Sequence, residues 1–180
     1  MKKAIFYFAL VGWTLGLLVH LLSIFDVDVA AKAPLVWLLH VGIFIAFIPA
    51  ILELKKNREL QTYQKSDMFK VFSPFNTLKI ISRTTPSWLT VIAVLGLFYA
   101  FVNFIIFMKS QPYTPDIENG GYVLRNHGQI IKTLTEQEYH HYKAVTLRGF
   151  SGHWIAFYGI SMALLFPFNK KQVTYNLTYD

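Results

Sequence analysis

Residues 149–168 read GFSGHWIAFYGISMALLFPF, and the interpretation of this run decides the fold. It is apolar enough to enter a bilayer, yet it opens on a serine, a histidine and a tryptophan. A hydrocarbon core of about 30 Å is crossed by roughly 20 apolar residues in a helix. The chain offers four such stretches, at 4–25, 34–54, 88–108 and 150–168, the last being the shortest. In lipid, every backbone donor and acceptor has to be paired within the segment, so each stretch is read as a helix. The expected fold is an all-α membrane protein, a four-transmembrane-helix bundle carrying a small extracytoplasmic cap made of a β-hairpin plus a helix.

Composition agrees. Of 180 residues 54% are hydrophobic and 17% aromatic, while only 15% are charged. Soluble domains carry about a quarter charged residues, so lipid is the better solvent for this chain. Cysteine is absent, which excludes disulfide frameworks, thiolate metal sites and cysteine nucleophiles. A signal peptide is the competing reading of the first stretch, since Met1-Lys2-Lys3 precedes it and Ala31-Lys32-Ala33 loosely resembles a cleavage site. The run exceeds an h-region of about 7 to 15 residues, and a retained span is expected instead.

Charge sets the orientation. With the amino terminus inside, the inner segments hold eleven of the 17 Lys and Arg residues and the outer loops six, the asymmetry expected when both termini are cytoplasmic. Four acids lie on the inner side and six on the outer, so the whole net charge of +7 falls on the inner face. Anionic inner-leaflet lipid is therefore the expected charged partner, and nucleic acid is not. An inner-membrane location follows.

The spans divide the chain. Residues 1–54 form the first two helices, joined by a short outer loop at 26–33. Residues 55–87 form a basic cytoplasmic loop in which Met68, Phe69, Phe72 and Ile80 interleave with lysines, as in a segment lying on the membrane surface and interrupted by Pro74. The third span is 88–108 and the fourth 150–168. Between them, 109–149 enters irregularly through Pro112, Pro115 and Asn119-Gly120-Gly121, then gives two short strands around Asn126-His127-Gly128. Thr135 and Glu138 have the spacing of a capping box, which starts a helix running towards Arg148. The tail, 169–180, alternates apolar and polar residues like a strand over Val173, Tyr175, Leu177 and Tyr179.

Four polar residues fall at nearly one depth. At 1.5 Å per residue, His153 lies about 5 Å, His20 and Asn103 about 8 Å, and His40 about 9 Å inside the outer ends of their spans. Gly12 and Gly16 share a helix stripe with His20, Gly96 and Ala100 one with Asn103, and Ala156 and Ala163 one with His153. Small residues permit close helix approach, so these three stripes are expected to face the interior. His40 is aimed inward by the cost of exposing imidazole to lipid. Trp154 and Trp88, with Tyr158, fit interfacial anchoring. Ser151 fits the cap of the fourth helix. His140 and His141 are consecutive and point about 100° apart, which is unsuited to one shared metal.

Three functions compete. The polar layer can fix helix register in a non-catalytic accessory module that meets a protein partner through its cap. Alternatively, His20, His40 and His153 can ligate a transition metal or a haem, because neutral imidazole binds zinc, copper and haem iron. Third, Gly149-Phe150-Ser151-Gly152 resembles the GxSG motif of the rhomboid intramembrane proteases. That four-residue resemblance implies an intramembrane serine hydrolase with Ser151 as nucleophile, His20 or His40 as base and Asn103 as oxyanion donor. The chain departs from the family in having four spans rather than six and its serine close to the membrane surface.

Overall fold

The computed structural model describes residues 1–65, 82–83, 85–111 and 113–167. The expected surface-lying stretch around Met68, Phe69, Phe72, Pro74 and Ile80, and the strand-like tail from Val173 to Tyr179, lie outside the described residues. Helix α1 spans Lys2–Ile24, followed by the single turn α2 (Val29–Lys32), a 3-10 turn at Pro34–Trp37, α3 (Leu38–Lys55) and α4 (Arg58–Lys65). Then come α5 (Ser87–Ser110), strands β1 (Thr114–Glu118), β2 (Gly121–Asn126) and β3 (Gln129–Leu134), and α6 (Glu136–Leu165).

Among the described residues, three helical segments are long and apolar enough to cross a membrane: Lys2–Ile24, Pro34–Lys55 and Ser87–Ser110. The described residues are mostly helical, with one small antiparallel sheet among them. Helix α6 is not among the candidate spans, and the reason lies in its position: α1, α3 and α5 all pack on it, while α5 packs broadly on no other helix. A helix enclosed by three others meets protein on its flanks and has less need of large apolar side chains. Its buried face instead carries Gly149, Ser151, Gly152, Ala156, Gly159, Ser161 and Ala163. The outer helices reverse the soluble pattern, with Val11 and Leu18 of α1, Phe44 and Ile48 of α3, and Phe98 and Phe101 of α5 all exposed. Lipid tails solvate such surfaces as well as leucine does, so small residues and van der Waals fit hold the helices together.

The fit is closest where glycine faces an aromatic ring. The phenol of Tyr158 lies against Gly12 of α1, where an added Cβ would sit 2.5 Å from ring carbon. Its hydroxyl donates to the Leu39 carbonyl of α3 at 2.8 Å. Trp154 stacks beside Gly16, and both aromatic residues are almost completely buried. Neither is an interfacial anchor, contrary to expectation: spacing alone could not separate a ring at the headgroups from one filling the space that a glycine leaves. Ser151 is likewise not a helix cap, because α6 continues unbroken from Glu136 to Leu165. The cap helix and the expected fourth helix are one rod of 30 residues, about 45 Å long.

The cap is a three-stranded meander in the order β1-β2-β3, not a hairpin alone. Residues 114–118, read as irregular, form an edge strand in which Pro115 is tolerated because an edge position need not supply every N–H. Asn119 and Gly120 take φ of 49° and 80°, and His127 and Gly128 take 46° and 86°, the left-handed conformations that tight two-residue hairpin turns require. Arg125 ties the sheet, pairing with Glu118 at 2.5 Å and Asp116 at 2.9 Å. Tyr122 of β2 stacks on Tyr139 of α6 at 4.7 Å.

The expected capping box is present. Glu138 N donates to Thr135 Oγ1 at 3.2 Å, and Thr135 N donates back to Glu138 Oε2 at 2.8 Å. Lys132 adds a 2.6 Å hydrogen bond from β3. The Lys132 bond, followed by the Thr135 bonds, lowers the Glu138 carboxyl from 4.5 to about 2. A carboxylate depressed on folding contributes stability that is complete above its unfolded value and lost as pH falls through the folded one. Protection of the amides in the first turn of α6, read as exchange relative to the intrinsic rate at each pH, is therefore expected to fall as pH drops from 4.5 towards 2, and Glu138→Gln to abolish that dependence. A wild-type profile flat across this window would refute the assignment.

Candidate functional site

The polar layer is organised around two consecutive carbonyls of α6, those of Arg148 and Gly149. Asn103 of α5 reaches both with Nδ2, at 3.1 and 3.2 Å. Ser151 Oγ lies 3.2 Å from the Arg148 carbonyl, and His153 Nδ1 lies 3.1 Å from that of Gly149. Gly152 makes the approach of α5 possible, since a Cβ there would collide with the Asn103 amide nitrogen. The Gly96 and Ala100 stripe does face inward with Asn103, and all three are buried.

His20 is the most enclosed imidazole, 2% exposed. Its Nδ1 lies 2.8 Å from Ser151 Oγ and its Nε2 2.5 Å from the Tyr99 hydroxyl of α5. Gly12 and Gly16 bring α1 close enough for this contact, as their stripe implies. Two proton arrangements satisfy the chain. In one, Tyr99 donates to Nε2 while Nδ1–H donates to Ser151, whose own proton goes to the Arg148 carbonyl. In the other, Ser151 donates to Nδ1 and Nε2–H donates to Tyr99, leaving the phenol proton free to point outward.

His40 stands apart from these. Its Nδ1 accepts from Trp154 Nε1 at 3.1 Å, which places its own proton on Nε2. Its ring packs edge-on against Phe150 and Phe44. His153, bonded through Nδ1–H to its own helix, keeps an open Nε2 and packs against Phe104. Ser151 and His153 point about 200° apart around α6, so His20 and His153 lie on nearly opposite sides of that helix.

The structure therefore brings His20 and Ser151 together, and joins Asn103 and His153 through one carbonyl. It does not gather His20, His40 and His153 around a common point. Metal ligation requires a lone pair. Both His20 nitrogens are occupied and the one lone pair of His40 accepts from Trp154, which leaves Nε2 of His153. Among the described residues, no group of three His, Cys, Asp or Glu is arranged to hold a metal ion. Nor does the apolar groove of about 420 Å³ between α1 and α3, floored by Gly12 and Tyr158, include any of the three histidines.

Sequence reasoning missed Tyr99 and Trp154 as polar partners. Tyr99 lies four residues before Asn103 and three after Gly96, on the stripe already identified, so helical spacing contained the signal. It also missed a second constellation near the start of α6, beside the 26–33 loop. Asp28 Oδ1 accepts from Ala31 N at 3.1 Å to cap α2, and its Oδ2 lies 2.8 Å from His140 Nδ1. His141 Nδ1 lies 3.0 Å from Asp26 Oδ1, where Asp26 turns the chain with φ of 58°. The two histidines diverge as expected, and each takes its own aspartate. Together they clamp the 26–33 loop to α6 around a polar cavity of about 350 Å³.

No family model matches this chain, and neither a curated protein nor a solved structure does.

Proposed function

We propose that the chain is a four-span inner-membrane protein, with both termini cytoplasmic and the cap outside, acting as a non-catalytic accessory module. The inner-half portion of α6 supplies the fourth span, made viable by its three apolar neighbours. Eleven inner against six outer basic residues support the orientation. The observation that carries the accessory role is the pairing inside the layer: His20 pairs with Ser151, Asn103 donates to α6 carbonyls, and Trp154 donates to His40. Such a layer fixes helix register, at about 0.6 to 2 kcal/mol for each contact. The partner-facing surface is the sheet, whose β3 carries exposed Ile130 and Ile131 on an open edge, suited to strand addition.

The absence of cysteine makes a clean labelling background. Gln129→Cys is expected to react with an impermeant maleimide added outside intact cells, and Lys56→Cys only after the cells are opened. The reverse pattern would overturn the orientation. A photo-crosslinker at Ile130 is expected to trap one discrete partner, and one at lipid-facing Leu97 to trap none; equal trapping at both positions would defeat the accessory reading.

One observation favours a second reading. The 2.8 Å contact between Ser151 Oγ and His20 Nδ1 is the geometry of a nucleophile and its base. Against it, Ser151 is completely buried and both Asn103 amide protons point at α6 carbonyls rather than at an oxyanion position. Fluorophosphonate labelling that disappears in Ser151→Ala would establish hydrolysis and displace the accessory role.

A further inference from the structure

We propose that the 26–33 loop is a pH-dependent strap: protonated His140 and His141 fasten Asp28 and Asp26 to α6, and their deprotonation loosens the loop. The latch depends on contacts between the loop and α6, and holds whichever side of the membrane the cap occupies.

Apolar packing secures the strap only in part. Helix α2 is a single turn of four residues, none of them buried, and Val29 and Ala30 touch the core from its margin. Asp26 ahead of it takes φ of 58°, a conformation uncommon for a residue with a side chain. Two polar contacts carry the loop to α6: Asp28 Oδ2 lies 2.8 Å from His140 Nδ1, and Asp26 Oδ1 lies 3.0 Å from His141 Nδ1. The Asp28 side chain is 6% exposed, and its other oxygen caps α2 through Ala31 N. One carboxylate thus shapes the strap and fastens it.

His140 faces Asp28 from the strap, Glu136 at 3.9 Å from its own helix, and the rings of Tyr122 and Tyr139. His141 faces Asp26 from the strap and the ring of Tyr142. Of the lysines on these elements, Lys132 is bound to Glu138, Lys143 lies over the Tyr139 ring and Lys32 is exposed at the end of α2. Histidine is the side chain whose charge changes between about pH 5 and about pH 8. Above that range each contact is a hydrogen bond to a neutral imidazole; below it each is an imidazolium facing a carboxylate, and charge-assisted hydrogen bonds are the stronger kind. Docking therefore gains stability at the acid end and loses it as pH rises. The Asp28 pair carries more of the effect, because a buried carboxylate is screened less than the half-exposed Asp26.

The strap continues into one wall of the apolar groove between α1 and α3, to which Val29, Ala33, Leu35 and Val36 contribute. Its position therefore sets the width of that groove, with Leu15 of α1 on the opposite wall.

The test is the distance between nitroxide pairs on the detergent-purified full chain, which has no native cysteine to compete for label. With labels at Lys32→Cys and Thr133→Cys, the undocked population is expected to rise about fivefold from about pH 5 to about pH 8. Glu138, whose carboxyl is held down to about 2, does not titrate in this window. Glutamine keeps a neutral N–H donor, so His140→Gln with His141→Gln is expected to remove the pH dependence without abolishing docking. His141→Gln alone, at the more exposed pair, is expected to retain part of the rise. A wild-type distribution identical at the two pH values, or an undiminished rise in the double variant, would overturn the proposal. A second pair at Leu15→Cys and Leu35→Cys is expected to separate in parallel; a constant spacing there would overturn the link to the groove.

Discussion

Trp154→Ala is expected to destabilise the protein by about 2–4 kcal/mol, read as a lower unfolding temperature and a lower denaturant midpoint in detergent. Truncating a buried tryptophan in a water-soluble core costs about 3–5 kcal/mol, part of it lost transfer free energy and part the cavity left behind. In a bilayer the transfer part shrinks, because lipid tails are as apolar as the protein interior, while the cavity part persists. Trp154 is fully buried at the meeting of α1, α3 and α6, and its indole N–H goes to His40, so its removal also leaves a polar nitrogen without a donor. Trp88, 57% exposed on α5, is the control: Trp88→Ala is expected to change stability by less than about 1 kcal/mol. Equal effects at the two positions would show that α6 is not the packing centre.

Gly12→Leu is expected to be comparably severe by the opposite route. The Tyr158 ring already occupies the position of the missing side chain, and it cannot swing aside without breaking its bond to the Leu39 carbonyl. Overpacking costs about 1–3 kcal/mol where neighbours can shift and more where they are pinned. Restoration by Tyr158→Ala in the same chain would identify the clash as the cause. No recovery in the double variant would place the damage elsewhere.

These two sites also mark how far the sequence could be read. Three apolar runs are visible because lipid selects for hydrophobicity on a helix surface, and they appear at 4–25, 34–54 and 88–108 close to their structural bounds. Gly12, Gly16 and His20 announced an inward face through four-residue spacing, and the structure puts them there. The hub was harder to read. Residues 149–168 look like a weak span, since a helix enclosed by protein trades large side chains for glycine, serine and alanine. The same enclosure turned Trp154 and Tyr158 from expected anchors into core.

Within the polar layer, depth was legible and azimuth was not. His20, His40, Asn103 and His153 were placed at a common level by counting residues, but nothing in one helix's sequence fixes its rotation relative to another. That rotation sends His40 to Trp154 and His153 to Phe104. The pairing of Ser151 with His20 spans 131 residues and depends on three helices agreeing in register. In the cap, turn chemistry was informative at Asn126-His127-Gly128, whereas β1 was hidden by Pro115.

The enclosure of α6 has a consequence for biosynthesis. Its three neighbours precede it in the chain, so a ribosome finishes the staves before it makes the post they stand against. Until residue 149 emerges, the grooves lined by Gly12, Gly16 and Gly96 have only acyl chains to fill them. Docking of the three staves is therefore expected to wait on α6, whose arrival fills those grooves.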